Sequence, residues 1–161
     1  FSHSAACPAC CSGLEQEEHS VEWFTTQDDP LSTVTASGSE VLMEFADDVN
    51  CGGVASLIQN MTATATVTLA ESTMFDLLWS AVAEDQYETL TITVNGEIKT
   101  QFTSKADGKC VHTTCIMCVT KETTQQIQLN AGPNTITVNT TTQDGWYHQD
   151  AYFRVRFQEA S

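Results

Sequence analysis

Residues 61–69, MTATATVTL, alternate without a break. Met61, Ala63, Ala65, Val67 and Leu69 fall on one side of an extended chain, and Thr62, Thr64, Thr66 and Thr68 on the other. Successive side chains of a strand point to opposite faces, so this pattern predicts a strand with one face in a core and one in water. Shorter runs of the same kind come before it. SVEWFT (20–25) stops at the turn-forming DDP (28–30), LSTVT (31–35) is followed by the turn ASGSE, and VLMEF (41–45) leads into the loop DDVNCGG (47–53). Residues 72–85, STMFDLLWSAVAED, break the alternation. Met74, Leu77, Leu78, Ala81 and Val82 fit one helical face with Ser72 as a cap, so a short helix or an irregular apolar connection is expected there, with a buried strand as the alternative.

Alternation returns in YETLTITVNGEIKTQF (87–102). Leu90, Ile92 and Val94 point inward, Asn95-Gly96 supplies a two-residue hairpin turn, and Ile98 and Phe102 continue the inner face. CVHTTCIMCVT (110–120) and QQIQLN (125–130) have strand composition. TITVNTT (135–141) follows the turn AGPN, and AYFRVRFQ (151–158) closes the chain after the loop QDGW. About nine or ten short strands punctuated by turns predict an all-β fold, an antiparallel sandwich or jelly roll. Residues 1–19 are small, polar and acidic, and read as an extended N-terminal arm outside a sandwich of residues 20–161.

LNAGPNTITV (129–138), with YHQDAYFRVRF after it, resembles the last two strands of galactose-binding-like jelly rolls. Leu129, Gly132, Asn134, Ile136, Val138 and Asp150 occupy the places of that family's L-x-x-G-x-N-x-I-x-V step and its following Asp. The resemblance implies a sandwich and, as in many members, sugar binding through exposed aromatics with a calcium near the edge. Trp146, Tyr147 and Asp150 are the residues it nominates as a sugar platform.

Composition narrows the classes. The chain has 161 residues, 41% of them hydrophobic, enough for one domain with a real core. No apolar run approaches the roughly 20 residues of a membrane helix. The net charge is −15, from 21 acids and six bases. All six bases, Lys99, Lys105, Lys109, Lys121, Arg154 and Arg156, lie at or beyond position 99. Without a basic stripe, nucleic acid is disfavoured as a partner, and anionic membranes would repel the first half. A start at Phe1 with no initiator Met is what a mature secreted chain would show. Two N-glycosylation sequons, Asn60-Met61-Thr62 and Asn139-Thr140-Thr141, agree with an extracellular place and with covalent glycans.

The seven cysteines form two clusters and a single: Cys7, Cys10 and Cys11; Cys110, Cys115 and Cys118; and Cys51. In an oxidising compartment they read as disulfide formers. Cys7-x-x-Cys10 and Cys115-x-x-Cys118 also have metal-ligand spacing, the alternative reading. Neighbours on an extended strand face opposite ways, as do residues three apart, so each cluster is expected to seek partners elsewhere. No cofactor is called for, although Asp28-Asp29 and Asp47-Asp48 flank turns where calcium would fit. No nucleophile elbow, zinc-protease helix or phosphate loop occurs, so no catalytic set and no enzyme is expected.

Two functions remain. The first is a structural subunit of a secreted, glycosylated filament, whose arm adds a strand to the next copy or is locked there by disulfides. In this the chain resembles donor-strand pilins and jelly-roll subunits of extracellular glycan-coated fibrils, and its partner would be itself. The second is a carbohydrate-binding module or lectin-like domain.

Overall fold

The computed structural model describes residues 20–28, 32–45, 59–84, 88–103, 109–112, 116–142 and 151–161. Eleven strands are described and no helix among them: β1 (Ser20–Gln27), β2 (Thr33–Ser37), β3 (Glu40–Glu44), β4 (Asn60–Leu69), β5 (Thr73–Glu84), β6 (Glu88–Val94), β7 (Glu97–Thr103), β8 (Lys109–His112), β9 (Ile116–Leu129), β10 (Gly132–Thr142) and β11 (Tyr152–Glu159). They form two antiparallel sheets, a β-sandwich of the jelly-roll kind. One sheet runs β1-β4-β10-β6-β7, the other β2-β3-β11-β5-β9-β8. The arm, residues 1–19, lies outside the described residues.

The alternation in β4 becomes burial. Met61, Ala63, Ala65 and Val67 are fully buried, and the threonines between them face out. Both neighbours continue the pattern: Ala65 lies opposite Trp23 of β1 and Ile136 of β10. The β6–β7 hairpin turns at Asn95 (φ 49°) and Gly96 (φ 84°), the positive angles that an Asn-Gly turn accommodates. Aromatic rings join the sheets. Trp79 of β5 meets Phe102 of β7 at 4.9 Å, Phe102 meets Phe153 of β11 at 5.9 Å, and Phe153 meets Phe45 at 6.0 Å. Full burial of each such ring contributes about 1.5–3 kcal/mol by area.

The expected helix over 72–85 is corrected to a strand. β5 is central, between β11 and β9. Its inner positions Phe75, Leu77, Trp79, Ala81 and Ala83 are buried, and so is outward-facing Leu78. Arg156 stands opposite Leu78 on β11 and reaches Glu122 of β9 on the far side, with Nη2 to Oε1 at 2.8 Å and Nε to Oε2 at 3.1 Å. An ion pair laid over β5 lets its outer face carry leucine, which erases the alternation that marks a strand. The segment 110–120, expected as one strand, is two: β8 folds back on β9, so that Cys110 and Cys118 are directly opposite in register. β9 then runs on unbroken through 125–129.

Candidate ligand cleft

The end of the sandwich where β1 begins is held by the turn between β2 and β3. Gly38 has φ +59°, so the turn needs glycine there, and a Cβ would meet nothing within 4 Å. The turn is tied down twice: Trp23 Nε1 donates to Gly38 O at 2.8 Å, and Phe157 N donates to Ser39 O at 3.0 Å. Ala160 N donates to Met74 O at 2.9 Å and fixes the end of β11 beside β5. This end of the sandwich holds an open cleft of about 310 Å³. Its hydrocarbon lining is Val21, Phe75 and Phe157, and its polar lining is Ser39, Gln158 and Glu159, with Gly38 between.

The rings are fixed. Phe157 lies 6.0 Å from Trp23 and 6.4 Å from Phe75, both pairs tilted. Gln158 is oriented from outside the cleft, since its Oε1 accepts from Arg156 Nη1 at 3.2 Å. The Arg156 guanidinium is itself held by Glu122, whose carboxyl it pulls below the usual range, chiefly by hydrogen bonding and against an opposing desolvation. Among the described residues, no Lys, Arg, His or Cys lines the cleft. Apolar walls and a rim offering hydroxyl, amide and carboxylate suit a small neutral ligand with one apolar face and several hydroxyls.

The outer face of the first sheet is also unlike the rest of this acidic chain. Rows of register run across it: Thr64, Thr137 and Thr93 in one, Thr62, Asn139 and Thr91 in the next. Phe24, 71% exposed, stands beside Thr64 at the β1 edge. Both sequon asparagines lie on this face.

The sequence-nominated residues fare unevenly. Trp146, Tyr147 and Asp150 lie outside the described residues, as do Cys7, Cys10, Cys11, Cys51, Cys115, Asp29, Asp47 and Asp48. Of the family-like step, Leu129, Ile136 and Val138 are core residues, and Gly132 takes φ +88°. Asn134, 1% exposed, is a structural knot. Its Oδ1 accepts from Asn130 N (2.8 Å) and Asn95 Nδ2 (2.9 Å), while its Nδ2 reaches the carbonyls of Asn130 (2.7 Å), Gly132 (3.1 Å) and Val67 (3.3 Å). None of the cleft residues carried a sequence signal beyond the Ser-Gly-Ser turn, because they converge from β1, the β2–β3 turn, β5 and β11.

No protein-family model matches the sequence, and no curated protein matches it. Several solved structures show similarity to this chain. TmCBM61 in complex with β-1,4-galactotriose is 10% identical with a TM-score of 0.44, over 86% of this chain and 87% of that one. A family 35 carbohydrate-binding module from Clostridium thermocellum is 18% identical with a TM-score of 0.34, over 84% of this chain and 97% of the module. A β-glucosidase from Kluyveromyces marxianus in complex with glucose is 17% identical with a TM-score of 0.42, over 65% of this chain, which spans only 11% of the enzyme. The expectation of a filament subunit is corrected here: the similar solved structures include carbohydrate-binding modules of families 61 and 35. The arm on which that reading rested is outside the described residues.

Proposed function

We propose that this chain is a carbohydrate-binding domain working outside the cell, and that it takes a neutral sugar unit in the cleft beside β1. One observation carries the reading: the open 310 Å³ cleft combines an apolar floor over the buried Phe75 and Phe157 with a Ser39–Gln158–Glu159 rim and, among the described residues, no cationic group. A pyranose presents C–H bonds on one face and hydroxyls around its edge. The first lie over the apolar floor beside half-buried Val21, since Phe75 and Phe157 are themselves covered, and the second hydrogen-bond to hydroxyl, amide and carboxylate oxygens. The cleft is pre-formed, because the turn and both rings are fixed by the contacts above, so little ordering is lost on binding. Binding is favoured over hydrolysis because, among the described residues, one carboxylate, Glu159, lines the cleft, and glycosidic cleavage takes a pair.

The test is titration calorimetry of the full chain against oligosaccharides of galactan, mannan, xylan and cellulose. One series should bind saturably. Glu159→Gln should weaken it by about tenfold, the equivalent of ~1.4 kcal/mol, as expected for a bond to a charged acceptor. Ser39→Trp should abolish it by filling the cleft. Binding that survives Ser39→Trp, or no binding across the panel, would refute the assignment.

A further inference from the structure

The two sequons, far apart in sequence, meet in the fold. Asn139 lies opposite Thr62, and Thr141 opposite Asn60, so each acceptor asparagine faces the threonine of the other sequon across β4 and β10. Their side chains are not equivalent. Asn139, half-buried on a central strand, directs Nδ2 at Asn60 Oδ1 (2.9 Å), Thr62 Oγ1 (2.8 Å) and Met61 O (3.3 Å). A main-chain carbonyl only accepts, so the edge of Asn139 facing Met61 O must be its nitrogen. Three acceptors then compete for two protons. Asn60 is exposed at the first position of β4 and takes part through its oxygen; among the described residues its Nδ2 donates to nothing.

We propose that Asn60 carries an N-linked glycan, and that Asn139 stays unmodified and holds the Asn60 amide with its nitrogen turned to solvent. In the transfer, Asn60 Nδ2 forms a bond to C1 of a sugar carried on a polyisoprenyl diphosphate. The C1–O bond to the diphosphate breaks, Nδ2 gives up one proton, and the lipid diphosphate leaves. The same reaction at Asn139 replaces one of the two protons shared among three acceptors and puts a sugar over the middle of the sheet. Transfer occurs on the extended chain, so folding acts as the filter: a chain modified at Asn139 keeps one amide proton for three acceptors and loses part of its cross-strand bonding, and one modified at Asn60 loses none. The cleft is at the other end of β4, where Val67 pairs with Val21. Seven residues at ~3.4 Å place it roughly 24 Å from Asn60, so the glycan leaves it open.

The experiment is secretion of the full chain from a eukaryotic host. Peptide-N-glycosidase treatment in ¹⁸O-water and peptide mass spectrometry then mark every occupied asparagine. The expected result is a marked Asn60 and an unmarked Asn139 in the secreted protein. Asn60→Gln should remove the whole N-glycan mass from the intact protein, and Asn139→Gln should leave it unchanged. The proposal is overturned by occupancy of Asn139 equal to or above that of Asn60, or by no occupancy at either. The readout does not depend on ligand binding, so the cleft assignment stands or falls separately.

Discussion

Replacing Asn134 by alanine should cost more than its small volume suggests. The amide lies among backbone groups of three segments: the β9–β10 turn, β4 and, through Asn95, the β6–β7 turn. Two bonds to Oδ1 and two of the three reached by Nδ2 can be made at once. At about 0.5–1.5 kcal/mol each, less what the exposed Asn130 regains from water, the loss is about 3 kcal/mol. For a domain of this size that lowers Tm by roughly 6–12 °C. The assay is thermal unfolding by circular dichroism, with urea unfolding followed by fluorescence. Asn134→Asp is the sharper variant. It has the same shape, but near neutral pH it sets a carboxylate oxygen against three carbonyls, so it should lose at least as much. Burial among carbonyls raises the folded pKa of that new carboxyl above its unfolded value. Its deficit relative to the native chain should therefore shrink as pH falls through the folded value. A Tm drop under about 2 °C for Asn134→Ala, or native stability for Asn134→Asp at neutral pH, would refute the reasoning.

Other outcomes follow from single features. Gly132→Ala should cost about 1–2 kcal/mol in urea unfolding, because φ +88° is strained for any L side chain although a Cβ would meet nothing within 4 Å. Phe153→Ala opens a cavity between the sheets, where the ring meets Phe45 and Phe102, and should lose about 3–5 kcal/mol. The Glu122 carboxyl should titrate below the ordinary glutamate range by carbon-detected NMR and return to it in Arg156→Gln. Because its folded value is depressed, what the pair adds to stability is present above the unfolded value and is lost as pH falls through the folded one.

Legibility in the sequence followed how one-sided each element is. β4 and the Asn-Gly turn of the β6–β7 hairpin were plain, because alternation and an Asn-Gly turn each have one structural solution. But Ile98, expected on the inner face, is 55% exposed, because the β6–β7 register shifts between Ile92 and Thr93. β5 was not, because it is central and its outer Leu78 is roofed by an ion pair whose members are 34 positions apart. Val111, Val119 and the threonines around them are all strand formers, which hid the reversal between β8 and β9. The family-like pattern gave Asn134 without its reason, which is a network among three segments. The cleft was illegible because Ser39 and Gln158 are distant in sequence and meet only through the β3–β11 pairing.

The central claim is that a sugar enters the cleft beside β1. ¹H–¹⁵N correlation spectra of the full chain, recorded as the best-binding oligosaccharide is added, test it most directly. The account predicts saturable shifts at the amides of Val21, Gly38, Ser39, Gln158 and Glu159 and at the Trp23 indole, with the Thr62–Asn139 region unmoved. Shifts confined to other surfaces, or none at saturating sugar, would contradict it.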